Sequence, residues 1–317
     1  MAAWLGPALI VGSVLFALRG FLVGGLTNQH PDLLTFWLPR WSFLGDSVSA
    51  GRIPLWNPFE MTGYRFAADP QSGWLYAPPM VLFSLFSPGL ALRMFIVLNP
   101  LLAGVGMYAF LRKESLERAP ATVGGLVLAM MMSTSTIAIS LPFAGALAWT
   151  AVLLVAASGY RRAEGWSGRC AWLALGAFAW MQVAAAHLSH GLVIATAFAT
   201  VYLVAGAISD TRAGTVPRRS AAGRVALFLV VLPLAALPIL VPHVDVLGES
   251  SLRGGYGALG DTGQSEVGDP LGSNGVWAAW PLGFAAAPGA YAGASIALGG
   301  VCAVAVTRAT RRTGIRR

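Results

Sequence analysis

The chain has 317 residues, of which 56% are hydrophobic and 11% are charged, and its mean hydropathy is +0.67. Soluble domains carry charge on about a quarter of their residues, so this composition excludes a soluble globular protein and indicates a multi-pass membrane protein. The net charge of +8 does not indicate nucleic-acid binding, because the basic residues are nearly all arginines in short clusters between apolar runs, as in topology signals.

The apolar runs predict an all-α polytopic membrane protein with one transmembrane domain over residues 1–317. The first run, MAAWLGPALIVGSVLFALRG, has no basic n-region and is too long for a cleaved signal, so we expect a retained span. Runs of about 20 residues predict eight spans, at 4–26, 88–111, 121–141, 143–160, 170–186, 188–208, 224–242 and 290–307. Arginine clusters occupy every second loop and the C-terminal tail, so both termini are expected to be cytoplasmic.

The first outer loop, residues 27–87, begins with an amphipathic pattern. Apolar residues recur there at steps of three and four, at Leu34, Trp37, Leu38, Trp41, Leu44 and Val48. This spacing predicts a helix with one apolar face, suited to the headgroup layer, and Pro39 is expected to kink or divide it. The alternative interpretation is a loop that only seals the helix bundle.

A stretch rich in Trp, Pro, Tyr and Asn follows, GRIPLWNPFEMTGYRFAADPQSGWLYAPP, at residues 51–79. It is too polar to cross a bilayer and too aromatic for a plain linker. Aromatic faces bind sugar rings and isoprenoid ends, while amide and hydroxyl groups bind sugar hydroxyls without charge. The candidate substrate-binding residues of this kind are Trp56, Asn57, Tyr64, Gln71 and Tyr76. The stretch therefore predicts a preshaped lid over a cavity at the membrane surface.

These residues resemble the outer loop of YfhO-type bacterial membrane proteins of the GT-C glycosyltransferase superfamily. That loop reads approximately G-x-(I/L)-P-L-W-N-P, then G-(Y/x)-P, then A-(N/D)-P-Q-S-G-x-L-Y-P. The chain departs from it at Arg65 and Phe66, where the family often has Pro, and at Ala77, where Tyr is usual. Thinner matches follow in AAAHLSHG (184–191) and ALPILVPHVDVLGESSLRGG (236–255).

The resemblance implies a GT-C-like bundle in which the large first outer loop carries the site. It implies an enzyme of the bacterial cytoplasmic (inner) membrane that moves a sugar from a polyprenyl-phosphate carrier to an acceptor hydroxyl, on a cell-envelope glycan or lipid, at the outer face. Family members are usually longer, so the chain is expected to be a fragment, a short member or one half of a split enzyme. No redox cofactor is required.

Such a transfer needs a base for the acceptor hydroxyl. Asp32 is the first candidate, because it follows the first span closely and occupies the acidic position of the family; its alternative role is to cap the following helix. Asp69 is the second catalytic candidate, with the alternative that Asp69 and Pro70 form an ordinary turn. Glu60 ranks below both.

Cations must hold the departing phosphate, and the guanidinium fork suits its oxygens. Five outward arginines are not explained by topology: Arg40, Arg52, Arg65, Arg93 and Arg253. Arg93 is the strongest candidate, because it lies within the outer part of a span, where an unpaired charge is costly and usually functional.

The histidines, His30, His187, His190 and His243, all lie at outer helix ends. They offer an optional divalent metal site, although hydrogen bonding at a substrate cavity, with His187 as a binding residue, is the simpler interpretation. No metal ligand is assigned. A second outer loop is predicted over 243–289.

The sequence leaves two functions open. The first is the glycosyltransferase, with membrane lipids and a polyprenyl-phosphate-linked sugar as partners. The second is a non-catalytic protein, either a scaffold of GT-C shape or a carrier for a lipid-linked sugar. A carrier is expected to show inverted repeats and broken, polar helices, and the sequence shows no repeat.

Overall fold

The computed structural model of the protein describes residues 4–23, 32–60, 62–134, 141–188 and 190–249. These residues are mainly helical, in the order α1 (Leu5–Ala17), α2 (Arg19–Val23), a π-helical turn (Leu33–Trp37), α3 (Leu38–Ser49), β1 (Trp56–Asn57), β2 (Tyr64–Arg65), α4 (Ala77–Leu85), α5 (Pro88–Lys113), α6 (Arg118–Thr134), α7 (Leu141–Arg162), α8 (Gly165–Ala186), α9 (His190–Arg212), α10 (Arg218–Ala235) and α11 (Leu237–Glu249). The prediction of a mainly helical membrane protein is confirmed.

Three helices of the described region, α5, α7 and α9, are long and apolar enough to cross a membrane, and the bent pair of α10 and α11 makes a fourth if it is one span. The other predicted spans up to residue 242 also coincide with helices, but α1 has only 13 residues and α6 has 17. The eighth predicted span lies outside the described residues, so the eight-span bundle stays a prediction.

The predicted span 224–242 corresponds to a bent pair of helices, α10 and α11. The chain bends by 59° between α10 and α11. Pro233 lies inside α10 and Pro238 at the start of α11; because proline lacks an N–H, the helical hydrogen-bond ladder weakens on both sides of Ala236. α11 then continues to Glu249, so the beginning of the predicted loop 243–289 is helical.

The amphipathic segment of the first loop is a helix, as predicted. Its Trp37, Trp41 and Leu44 are buried, and they pack with α4 and the start of α5 into the protein interior rather than facing only the headgroup layer. Pro39 does not divide the segment: it is the second residue of α3, and the wider π-helical turn comes directly before it. Proline fits the first turn of a helix because the N–H it lacks would have no helical partner there.

A short hairpin follows α3, with Trp56 opposite Arg65 and Asn57 opposite Tyr64. Gly63 has φ +100° and lies against the ring of Trp56, where a Cβ would come within 2.5 Å of the indole. Only glycine accommodates both this backbone conformation and this contact without strain. The sequence signal for this turn is the Gly63-Tyr64 pair within the motif.

The helices pack around α7, which contacts α5, α8 and α9. The buried apolar residues form two clusters, one within the helix bundle and one where α3, α4 and the first half of α5 meet. We call the second region the loop end. The opposite end, where α5, α7 and α9 finish and α6, α8 and α10 begin, is called the arginine-rich end.

Candidate functional site

The loop end contains a buried arginine between two carboxylates. Arg40, on α3, is only 3% exposed, and its Nε donates to Glu60 Oε2 at 3.0 Å while an Nη donates to Asp69 Oδ2 at 2.7 Å. The guanidinium also stacks on the rings of Phe36 and Tyr64, 3.9 and 5.1 Å from their centroids. We call these five residues the Arg40 cluster. Two ion pairs and two aromatic faces together offset the cost of removing this charge from water.

The cluster brings together three predicted site residues, Arg40, Tyr64 and Asp69, and also Glu60. The fork of Arg40 is occupied by protein carboxylates, so in this state it does not present the two-pronged geometry expected for a phosphate. Asp69 also has the turn role: its Oδ1 accepts the Gln71 N–H at 2.8 Å. The cluster is therefore the anchor that fixes residues 60–71 on α3.

Tyr64 and Asn57 line the inner side of the hairpin. Asn57 is buried, and its Oδ1 accepts the Phe59 N–H at 3.0 Å. The hydroxyl of Tyr64 lies near Asn57 without a hydrogen bond of normal geometry. Burial raises the pKa of Tyr64 and the Arg40 charge opposes that rise only in part, so the phenol stays neutral.

The outer side of the hairpin is apolar and open. Trp56 is 54% exposed, and Ile53, Leu55 and Phe59 are also exposed. Exposed apolar groups that stand together on a folded loop mark a surface for lipid or ligand contact. The aromatic character predicted for this loop thus divides into a buried face that fixes it and an exposed face that can bind.

The loop is attached to the helix bundle through Gln182. This buried residue of α8 accepts the Ala77 N–H through Oε1 at 2.7 Å and donates from Nε2 to the Leu75 carbonyl at 3.2 Å. Leu75 has φ +62°, a left-handed conformation that is unfavourable for a branched side chain. Because both hydrogen bonds flank Tyr76, Gln182 holds the strained turn and the tyrosine in place together.

Tyr76 itself is inserted between α7 and α8. It is almost fully buried, its ring packs edge-on against Phe95 at 5.8 Å, and its hydroxyl lies where a Cβ on Gly145 would be 2.3 Å away. The hydroxyl faces the Trp149 indole without a hydrogen bond of normal geometry, and burial raises the pKa of the phenol. Tyr76 is therefore packed inside the protein, and its predicted role toward sugar hydroxyls stays a prediction.

Arg93 is placed differently from Arg40. It lies in the first part of α5, between the buried Leu92 and the partly buried Met94 of the loop-end core. Its Nε is buried and has no hydrogen-bond partner among the residues that the structure describes. Arg52 and Gln71 are exposed, and Arg253 lies outside the described residues.

One further contact connects the loop end to α11. Arg65 pairs with Asp245 at 3.1 Å, but the side chains are 45% and 63% exposed, so the pair is mostly in water. His243, on the same helix, is buried, and its Nδ1 has no partner within the described part of the chain. α11 thus reaches the loop end, which the predicted loop at 243–289 did not anticipate.

Asp32 is exposed and stands immediately before the π-helical turn. It makes no capping hydrogen bond to that turn, so the capping role that competed with catalysis is not observed. The Asp69 carboxylate is joined to Arg40, whereas the Asp32 side chain is exposed.

The histidines do not assemble a metal site within the described residues, where no group of three His, Cys, Asp or Glu side chains could hold an ion. His187 ends α8, where its Nδ1 accepts the Gly191 N–H at 3.3 Å and its ring lies 4.4 Å from that of Phe143. His30 and the side chain of His190 lie outside the described residues, so the four-histidine hypothesis stays a prediction.

Sequence reasoning missed a buried carboxylate at the arginine-rich end. Glu114 is buried there and accepts hydrogen bonds from Ser158 Oγ at 2.6 Å and the Tyr202 hydroxyl at 2.5 Å, with Arg162 at 3.0 Å. We call these four residues the Glu114 cluster. The signal in the sequence was a carboxylate directly after an apolar span and its closing Lys113.

Searches of protein-family models, of curated proteins and of solved structures find no match to this chain.

Proposed function

We propose that the chain is the membrane core of a GT-C-type glycosyltransferase. It would move a sugar from a polyprenyl-phosphate carrier to an acceptor hydroxyl of the cell envelope, at the outer face of a bacterial cytoplasmic membrane. The proposal includes the eight-span bundle with both termini cytoplasmic, which places the loop end outside. Its support is the resemblance of residues 51–79 together with the cation described next.

The observation that carries the proposal is Arg93. A guanidinium with a buried, unpartnered Nε inside a membrane helix is costly, and such residues usually serve a ligand or another charge. The described residues supply no carboxylate for it, whereas Arg40, on the neighbouring α3, has two. A lipid-borne phosphate at the membrane surface provides the missing negative charge, and its oxygens match the guanidinium geometry.

The two candidate bases differ in their surroundings. The Asp69 carboxylate forms an ion pair with Arg40 and accepts the Gln71 N–H of its turn, and accepting a proton would weaken that ion pair. Asp32 is exposed and occupies the acidic position of the family that the chain resembles, so we place the base at Asp32. The exposed face of Trp56 and Phe59 would hold the sugar or the first isoprenoid units through ring contacts.

The phosphate role of Arg93 is tested by Arg93→Lys, which keeps the charge and removes the fork. We expect donor affinity to fall about tenfold, the loss of one charge-assisted hydrogen bond. The measurement is equilibrium binding of a fluorescent polyprenyl-phosphate sugar to the purified chain in nanodiscs. Arg19→Lys is the matched control, because Arg19 is exposed and donates to the Phe16 carbonyl near the end of α1; equal donor affinity of the wild type and the Arg93 variant would contradict the role.

The base is tested by Asp32→Asn. The acceptor hydroxyl becomes acidic only in the transition state, so this variant is expected to lower turnover by about 10²–10⁴-fold while donor affinity and melting temperature stay unchanged. Turnover and melting are measured on the same preparation. A decrease of about 1 kcal/mol in the free energy of unfolding, with normal turnover, would instead make Asp32 a structural cap. Donor binding without any turnover in the wild-type chain would favour the non-catalytic scaffold.

The carrier alternative gains one observation, the 59° break between α10 and α11. Broken helices that line a polar cavity are typical of transporters, and His243 is a buried polar residue just beyond the break. The two functions are separated with vesicles that contain a short-chain, fluorescent lipid-linked sugar. A carrier would move the sugar between leaflets without an acceptor, whereas the glycosyltransferase would consume it only when an acceptor is added.

A further inference from the structure

Two buried polar atoms, the Tyr64 hydroxyl and His243 Nδ1, have no hydrogen-bond partner among the residues that the structure describes. The whole His243 side chain is enclosed, with only 2% of the residue exposed. Buried polar atoms in folded proteins are nearly always hydrogen-bonded to protein, to water or to a ligand. Tyr64 lies in the hairpin and His243 in α11, so the relative position of these two elements decides whether one ligand can serve both atoms.

An ion pair joins the two elements and marks the outer side of their interface. Arg65 and Asp245 lie 3.1 Å apart, and both side chains are largely exposed. Tyr64 precedes Arg65 in β2, and successive residues of a strand point to opposite faces. His243 lies two positions before Asp245 in α11, which places it about 200° away around the helix. Tyr64 and His243 therefore both point to the inner side of this interface.

The surroundings of both residues support this inward direction. Ile239 lies one turn before His243 on the same face of α11, is 2% exposed and belongs to the loop-end core. On the hairpin side, Asp69 lies in the turn directly after β2, where its N–H donates to the Phe66 carbonyl at 3.0 Å. The Asp69 carboxylate acts electrostatically on both the Tyr64 phenol and the His243 imidazole, in agreement with a shared location.

The chemistry of these groups favours a neutral ligand that carries hydroxyl groups. An anion would lie beside the Asp69 carboxylate, and a metal ion would need more ligands than the described residues bring together. A hydroxyl both donates and accepts, so it satisfies the phenol and either tautomer of the imidazole. We propose that the Tyr64 hydroxyl and His243 Nδ1 together bind one hydroxyl group of the sugar, an inference that rests on the proposed glycosyltransferase function.

The outer ion pair provides the entrance to this site. The Arg65–Asp245 pair is mostly in water and contributes little to stability. α11 is joined to α10 through the 59° bend, and a small rotation about this bend separates the two charged side chains and admits the sugar. The return of α11 then excludes water from Tyr64 and His243.

The test compares lipid donors with and without the sugar. Equilibrium binding to the full chain in nanodiscs is measured for a fluorescent, short-chain polyprenyl phosphate and for its glucose, mannose and galactose conjugates. We expect the wild type to bind at least one conjugate more tightly than the sugar-free lipid. Tyr64→Phe and His243→Leu are each expected to lower this preference about two- to tenfold, the effect of one neutral hydrogen bond, and to leave the affinity for the sugar-free lipid unchanged.

Thermal stability separates a binding role from a packing role. Because neither polar atom has a partner among the described residues, Tyr64→Phe and His243→Leu are expected to keep or raise the melting temperature. His243→Asn keeps a polar atom near the position of Nδ1 and is expected to retain most of the sugar preference. Asp245→Asn is the matched control, because it changes an exposed residue of the same helix, and its sugar preference is expected to equal that of the wild type.

The outcomes distinguish this site from the proposed function. Binding of polyprenyl phosphate with no preference for any conjugate would overturn the hydroxyl site and leave the glycosyltransferase proposal in place. The site would also be overturned by a lower melting temperature with unchanged sugar preference in the Tyr64 and His243 variants, or by an equal loss of preference in the Asp245 control. Failure of the wild type to bind any of the four lipids would contradict the proposed function itself, and with it the sugar as the ligand.

Discussion

The two ends of the molecule each bury a charged group, but they neutralise it in opposite ways. At the loop end one fully buried cation, Arg40, serves two carboxylates that are 24% and 18% exposed. At the arginine-rich end one buried anion, Glu114, is served by two neutral hydroxyls and by Arg162. At the loop end both carboxylates depend on one cation. At the arginine-rich end the carboxylate has several donors, so it keeps hydrogen-bond partners when one of them is lost.

The largest decrease in the free energy of unfolding is therefore expected from Arg40→Leu. This variant leaves Glu60 and Asp69 facing each other without the cation between them, and removing one partner of a buried ion pair typically costs about 3–5 kcal/mol. The measurement is chemical unfolding in detergent, followed by circular dichroism. Arg52→Leu, an exposed arginine of the same loop, is the control and is expected to be neutral. A loss as small as that of the control would show that the Arg40 cluster does not hold the loop.

A smaller loss is expected from Glu114→Gln, which keeps an acceptor for Ser158 and Tyr202 and removes only the charge. Arg162 is one-third exposed and can turn to water, so we expect about 1–2 kcal/mol in the same unfolding measurement. The control is Glu117→Gln, an exposed residue three positions later in the connection between α5 and α6. If Glu114→Gln lowered the free energy of unfolding as much as Arg40→Leu, the contrast between the two ends would disappear.

The smallest effect is expected from Arg65→Gln. The Arg65–Asp245 pair joins residues 180 positions apart, but both groups are mostly in water, so the change is expected to stay below about 0.5 kcal/mol and to vanish in high salt. Unfolding at low and at high ionic strength measures this. A large, salt-independent loss would mean that α11 is an essential part of the loop end.

The helices were largely predictable, because an apolar run of membrane length has few alternatives to a helix. The buried face of α3 was also predictable, since Trp37, Trp41 and Leu44 recur at helical spacing. The bend at Ala236 was not predicted, although Pro233 and Pro238 were visible, because hydropathy averages over a window and ignores the missing N–H groups. The number of membrane crossings is still a prediction, as is the eighth span.

The candidate site was predictable in its residue types but not in its pairings. Arg40, Asp69 and Tyr64 were all named as candidates, yet their assembly around one guanidinium needs contacts across 29 positions of the chain. Gln182 was missed because a single amide within an apolar helix carries no motif. Its partners lie 105 and 107 positions earlier, a separation at which local sequence patterns hold no information.

The attachment of Leu75 and Ala77 to Gln182 has a consequence for the order of assembly. The loop leaves the ribosome long before α8, so during synthesis the turn at Leu75 has neither the amide that holds it nor the Gly145 surface that receives Tyr76. Contacts between such distant segments form late, because loop closure must precede them. The first loop can therefore reach its final shape only after α7 and α8 are inserted, and a chain truncated before Gln182 would expose Tyr76 to quality-control proteases.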